Sequence, residues 1–418
     1  MSAVAELPDT GWLKDGALAR LLSLLDRDGE EARVVGGAVR NALIRLPFDE
    51  VDIATTAVPD EVTRRAAAAG LKAIPTGAEH GTVTVVIGGF AVEVTTFRGE
   101  GPYVDGRRPE SVTFHTDLEA DLERRDFTIN ALSVSADGKI HDYVGGLADI
   151  AAHKVRFIGE PAQRIAEDYL RILRFFRLHA WYAHGPPDAA GLHACVVARA
   201  GLETLSRERV RVELMKLLVA PRATPTLAVM AETGILGTVL GGVPLLASFE
   251  NMAKVEAAIG APADAVQRLG ALGVATMEDA ERLSERLRLS NAEFERLMAL
   301  EYWWRVKPAA GEHAARVLLY QLGTKSFVDR ALVAWSRSDA GAADAAWRQL
   351  ATLAQRWIAP MFPLKAQDFL SRGVPKGPPM GAALRAAEQA WVDADFPDDR
   401  AAIEAIAERA AKDNKISG

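Results

Sequence analysis

The chain has 418 residues and a formal net charge of −7, and is 49% hydrophobic, 25% charged and 7% aromatic. That length suits two to four domains of ordinary size, and the apolar content argues against wholesale disorder. A single cysteine, Cys195, excludes an internal disulfide and a zinc cage of thiolates. The negative balance argues against a surface coated in basic residues, while leaving room for local positive charge.

The opening MSAVAELPDTGWLKDG lacks a basic-then-apolar leader pattern. The longest weakly polar stretch, around Gly81–Val94, is too short and interrupted to span a bilayer. A cytoplasmic protein that engages no membrane is expected.

Residues 1–30 read as an N-terminal helix, with apolar positions at three and four spacing as far as Gly29. Over 31–148 the texture changes to short β-branched runs: RVVGG, VDIAT, GTVTVVIGG, AVEVTTF, SVTFH and LSVSA. One helix, Pro59–Ala69, lies among them, so this is an α+β region with a small mixed sheet. From Gly145-Gly146 onward the pattern is helical. Ala151–Ala220 carries 11 Lys and Arg against 7 Asp and Glu, a local positive excess in an acidic chain. Trp303, Trp304, Trp335 and Trp347 are expected as core anchors. Breaks at Ala359–Pro363 and Gly373–Gly381 mark the last boundary.

The most informative segment is Val34-Val35-Gly36-Gly37-Ala38-Val39-Arg40, followed by Glu50-Val51-Asp52. On a strand, positions 50 and 52 face the same way, so their carboxylates converge. Hard oxygen ligands in that arrangement suit Mg²⁺, which keeps its other positions for water and phosphate oxygens. Gly36 and Gly37 let backbone N–H groups approach an anion, and Arg40, one turn on, reaches the same phosphates. Glu93, on another strand, is a third candidate acid, and Asp49 stands beside Glu50. The set describes a metal-dependent phosphoryl or nucleotidyl transfer site.

Further on, Arg124-Arg125-Asp126-Phe127-Thr128-Ile129-Asn130 offers arginines suited to triphosphate oxygens and an aspartate suited to a hydroxyl donor. Glu167–Arg177 has helical spacing. Asp168 and Arg171 share a face continued by Arg174 and Arg177, with Arg174 placed nearer the phosphates. An acceptor and a donor side by side complement the edge of cytosine or adenine. His141-Asp142 lacks the further ligands that a metal phosphohydrolase needs. The block Ser206–Leu214 reads first as scaffold for the preceding helix and second as an RNA contact. In the tail, Lys365, Arg372 and Lys376 flank glycine-rich turns that suit backbone phosphate.

The order VGGAVRN, EVDIATTAVPDEV, HGTVTVV, VEVTTFR, RRDFTINAL, DYVGGLADI and EDYLRILRFFR resembles the class II tRNA nucleotidyltransferases, which comprise CCA-adding enzymes and bacterial poly(A) polymerases. The resemblance runs from Arg33 to Leu218. It implies a nucleotidyltransferase head over 31–148, a helical neck over 149–222, a body over 223–358 and an RNA-binding tail over 359–418. It makes Glu50 the counterpart of the first aspartate in the family's Asp-x-Asp, so Glu50 and Asp52 become the catalytic metal ligands. It further implies that Arg125 binds the nucleotide, that Asp126 reads the ribose hydroxyls, and that Asp168 and Arg171 template CTP or ATP. The expected activity is untemplated addition of CCA to tRNA with release of pyrophosphate; no protein partner is inferred. The alternatives are a poly(A) polymerase or partial CC- or A-adding enzyme and, from another class, a non-catalytic RNA-binding protein.

Overall fold

The computed structural model describes residues 3–14, 16–48, 50–77, 80–101 and 110–415. Asp49, named above beside Glu50, lies outside them. The chain divides into two compact units, Met1–Pro244 with Arg286–Arg288, and Leu245–Glu285 with Leu289–Gly418. The first is α+β and the second is helical.

The strands of the first unit are β1 (Ala3–Glu6), β2 (Ala32–Val35), β3 (Asp52–Thr55), β4 (Lys72–Gly77) and β5 (Thr82–Ile87). They continue with β6 (Phe90–Thr96), β7 (Arg98–Glu100), β8 (Val112–Phe114), β9 (Leu132–Val134) and β10 (Lys139–Asp142). Eight form one sheet in the order β1-β10-β9-β2-β3-β6-β5-β4, while β7 and β8 pair separately. Among the described residues only β3 and β6 run parallel, which makes the sheet mixed. In β5 the TVTVVI alternation sends Val83, Val85 and Ile87 inward.

Helices α1 (Gly11–Lys14), α2 (Gly16–Leu25), α3 (Gly37–Leu43) and α4 (Pro59–Ala68) precede β4. Leu21, Leu22 and Leu25 of α2 and Val62 and Ala66 of α4 join Val34, Ile53, Val83, Val94 and Val134 in one core. The single helix expected over 1–30 is therefore corrected. Ala3–Glu6 is a strand because β10 offers it an unpaired edge, and only the following stretch is helical.

Next come α5 (Leu118–Glu123), α6 (Gly146–Ala151), α7 (Pro161–Glu167), α8 (Leu170–Tyr182), α9 (Ala189–Val197) and α10 (Arg207–Leu218). The His141-Asp142 pair is structural. Asp142 accepts backbone N–H groups from Val144, Gly145, Gly146 and Leu147 at 2.9–3.2 Å, fixing the entry to α6. Gly146 is required there, since a Cβ would lie 2.3 Å from the Thr128 carbonyl oxygen.

In the second unit Phe249, Met252, Leu269, Leu272, Phe327 and Trp335 are buried. Trp335 stacks on Trp347 at 6.4 Å, as core anchors should. Trp303 is only half-buried and Trp304 is exposed; both fall in a short 3-10 turn, where Trp303 packs edge-on against Trp304 and lies under the Arg337 guanidinium. Among the described residues, no helix is long and apolar enough to cross a membrane.

Candidate active site

Sheet register brings together three segments distant in sequence. In the antiparallel pair β2–β3, Val35 lies opposite Asp52, so the Gly36-Gly37 turn leaving β2 sits beside the start of β3. β9 is antiparallel to β2 on its other side, with Val35 opposite Ser133, which brings Arg124–Asn130 to the same rim. Gly36 donates its N–H to the Leu132 carbonyl at 3.0 Å. Its φ of +77° favours glycine, and an added Cβ would come within 3.4 Å of Arg125 Nη1.

This rim and the helices behind it line a cavity of about 490 Å³. Gly36, Gly37, Arg40, Glu50, Asp52, Arg125, Asp126, Asn130, Asp168, Arg171, Arg174 and Arg177, all expected from the sequence, line it together. Arg124, Arg209, Glu213 and Lys216 join them. Eight basic side chains against five acidic ones make this a pocket for a polyanion in a net-acidic chain.

Asp52 opens β3, but Glu50 precedes the strand, which corrects the expectation that both lie on it. Both nonetheless reach the cavity. Glu93 is in register with Asp52 across the parallel pair. Burial, then the charges of Glu93 and Glu50, hold the Asp52 carboxyl above the ordinary aspartate range, with Arg125 opposing. Carboxylates repelling one another at a cavity floor lower their energy by taking up a cation. Among the described residues, no cluster of three or more His, Cys, Asp or Glu is poised to hold a metal alone.

Asp121 anchors the adjoining arginines. Its Oδ1 receives Arg124 Nε and Nη2 at 3.0 and 2.8 Å, and its Oδ2 lies 3.5 Å from Arg125 Nη2. Among the described residues, Arg125 Nε is buried without a hydrogen-bond partner. Arg40 is buried, donating to Asn130 and to the Tyr182 hydroxyl (2.8 Å) with its guanidinium 3.9 Å above the Tyr182 ring.

Asp126 receives Phe127 N–H at 2.9 Å and Asn130 Nδ2 at 3.4 Å on Oδ1, and Arg174 Nε at 2.6 Å on Oδ2. Burial raises its pKa, but Arg174 and the other donors more than offset this, holding the group below the ordinary range. Rings of Phe127, Phe157 and Phe175, with centroids 4.7–6.3 Å apart, lock this segment against α8.

The segment 167–177 is not one helix. α7 ends at Glu167, Asp168 is extended (φ −154°, ψ 107°), and α8 starts at Leu170. Asp168 Oδ1 accepts the Leu170 N–H at 3.0 Å, a bond that an unbroken helix lacks. Asp168 and Arg171 are not paired with each other. Asp168 Oδ2 receives Arg209 Nη2 at 2.6 Å, while Arg171 donates to Glu167 and to the Arg164 carbonyl. Each is held by its own partner, so a donor and an acceptor stand side by side.

Sequence reasoning left Arg209, Glu213 and Lys216 out of the site. Their spacing of four and three residues marks one face of α10, the available signal. Glu213 braces Arg177 at 2.5 Å and lies 3.8 Å from Arg174, so the block is both scaffold and cavity wall. Lys365, Arg372 and Lys376 lie in the other unit. Lys365 and Lys376 are exposed, and Arg372 donates to the Asp368 carbonyl at 2.6 Å.

Two family models match, "Poly A polymerase head domain" over residues 32–156 and "Probable RNA and SrmB- binding site of polymerase A" over 192–249. A CCA-adding enzyme of Limosilactobacillus fermentum is 34% identical over 394 residues, covering 91% of this chain and 93% of its own. The chain belongs to the CCA-adding enzyme family. Within that family, the mouse mitochondrial CCA tRNA nucleotidyltransferase 1 is 32% identical over 388 residues, 90% of this chain and 86% of its own. The crystal structure of the Bacillus stearothermophilus CCA-adding enzyme in complex with CTP superposes with a TM-score of 0.74 at 30% identity. That match covers 95% of this chain and 98% of the other. The cavity described above is therefore the candidate active site of a nucleotidyltransferase of the CCA-adding family.

Proposed function

We propose that this CCA-adding family member builds or repairs the 3′-terminal CCA of tRNA from CTP and ATP in the cytoplasm. The observation that carries the reading is a single cavity holding paired acids, a surplus of arginines, and Asp168 and Arg171 kept apart by separate partners. Triphosphate oxygens take Arg40, Arg125, Arg174 and Arg177. Asp126 receives a ribose hydroxyl on its remaining lone pairs. The amino group and ring nitrogen of cytosine or adenine meet Asp168 and Arg171.

In the transfer, an electron pair of the RNA 3′-oxygen forms the bond to the α-phosphorus, and the bond to the bridging oxygen breaks. Pyrophosphate leaves with the electron pair of the broken bond, and the hydroxyl proton passes to solvent. Glu50 and Asp52 are hard oxygen donors whose mutual repulsion fits a divalent cation, and two carboxylates plus phosphate oxygens are a donor set suited to Mg²⁺. Bound there, the cation supplies charge stabilisation at the transferring phosphoryl group. Residues 31–148, with β1, form the head that holds the acids, and 149–222 the neck that reads the base. Body (223–358) and tail (359–418) follow, with Lys365, Arg372 and Lys376 contacting RNA phosphates.

The test is to offer a tRNA lacking its CCA end CTP alone, ATP alone, then both, and to sequence the product ends. C-C from CTP and C-C-A from both is the expected result. Long A tracts from ATP alone would instead establish a poly(A) polymerase, and untouched ends a non-catalytic RNA binder.

A further inference from the structure

A second cavity, of about 580 Å³, adjoins the first and shares with it Gly37, Arg40, Glu50, Asp52, Arg177 and Lys216. The two acids thus form a common edge between two compartments of opposite character. The first is walled by arginines and carboxylates. To the second, Leu46, Pro47, Phe48, Trp181, Tyr182 and Val219 add an apolar and aromatic wall.

We propose that the second cavity holds the 3′-terminal nucleotide of the RNA being extended, with Trp181 as the platform for its base. This rests on the nucleotidyl-transfer reading above. In-line displacement puts the attacking hydroxyl across the α-phosphorus from the leaving pyrophosphate. With the triphosphate among the arginines of the first cavity, the hydroxyl enters from beyond the carboxylate edge, where the second cavity lies. Stacking on an aromatic ring accepts any base, as suits a site whose terminal nucleotide changes with each addition.

Trp181 is the ring suited to this. Its indole N–H donates to the Lys216 carbonyl at 3.0 Å, which fixes the ring as part of the wall while leaving it half-exposed. Tyr182 already has Arg40 over its face, and Phe48 packs edge-on against Trp12 at 5.0 Å. Arg177 and Lys216, on the shared edge, place positive charge beside the backbone of that nucleotide. Trp181 is a positioning residue that acts through the acceptor strand.

The test compares tRNA lacking its CCA end with the same RNA made abasic at its 3′-terminal nucleotide, on full-length wild type, Trp181→Ala and Trp181→Phe. For the wild type, removing the base should raise KM for RNA roughly tenfold and leave KM for CTP unchanged. Trp181→Ala should raise KM for intact RNA by a similar factor, with no further rise on the abasic RNA, and Trp181→Phe should recover most of the loss. Independent, multiplying effects of base removal and Trp181→Ala would overturn the proposal, as would a rise in KM for CTP alone. Failure of wild type to extend the intact RNA would overturn the transfer reading and this one with it; normal extension with multiplying effects overturns this one only.

Discussion

Arginine–carboxylate clusters occur in both units, and they differ in how far they are closed. In the helical unit, Arg296 donates to Asp329 at 2.7 and 2.8 Å and to Asp264 at 3.0 Å. Gln267 adds its side-chain amide to Asp329 and its backbone N–H to Asp264, at 3.1 and 2.9 Å. One arginine between two acids makes a closed knot, a scaffold element. In the α+β unit eight basic side chains face five acidic ones around open space. A pair of opposite charges therefore marks nothing by itself. A surplus of one sign around a cavity marks a ligand.

The largest expected effect breaks the open cluster without touching the fold. Asp52→Ala should lower CTP incorporation by roughly a thousandfold or more, since phosphoryl transfer depends on charge stabilisation there. Its Tm should hold or rise, because burial and the neighbouring Glu93 and Glu50 disfavour the Asp52 charge when no cation is bound. A Tm drop matching the activity loss would make Asp52 a scaffold residue like Arg296.

Arg296→Ala should do the reverse. Stripping a mostly buried Asp329 of its partner costs about 3–5 kcal/mol, visible in the denaturation midpoint, while CTP affinity stays as in wild type. Loss of CTP affinity without loss of stability would contradict the distinction.

His179, on the buried side of α8, gives the neck a pH dependence. Burial, then Arg222, push its pKa down from 6.5 to about 4. Between those values the unfolded chain binds the proton and the native chain does not. Stability is therefore full above the unfolded value, falls as pH drops from 6.5 towards 4, and levels off below. The loss amounts to about 3 kcal/mol. Urea midpoints measured across that window for wild type and His179→Gln check it; equal slopes would remove His179 as the cause.

A smaller effect sharpens the assignment inside the cavity. Asp126→Ala should cut the preference for CTP over dCTP roughly tenfold, about the worth of one hydrogen bond to a charged group. An unchanged ratio would leave Asp126 as the anchor of Arg174 alone.

What was legible in the sequence was local. Glycines before a helix, Asp52 at the head of a β-branched run, and a strand alternating as TVTVVI each carry their signal within a few residues. The family-like order of blocks joined them into one site. Less was legible where tertiary partners decide. Ala3–Glu6 is a strand because β10 offers an edge. The break at Asp168 is hidden by apolar spacing that continues through it. Arg209, Glu213 and Lys216 look like the surface of a bracing helix until α10 is seen against the cavity. Trp304 shows the opposite error, since a tryptophan reads as core wherever it stands, and this one is exposed.

Whether the open cluster reads a base as well as holding a triphosphate is decided by misincorporation from each of the four nucleotides by Arg171→Ala and Arg174→Ala, with pyrophosphate release followed in parallel. Losing a charged hydrogen bond to the base relaxes discrimination by roughly ten- to a hundredfold. Arg171→Ala should therefore admit UTP and GTP while binding triphosphate nearly as before, and Arg174→Ala should weaken triphosphate binding while keeping C-then-A fidelity. Full fidelity in Arg171→Ala would contradict the account and leave the Arg171–Glu167 pair a structural salt bridge.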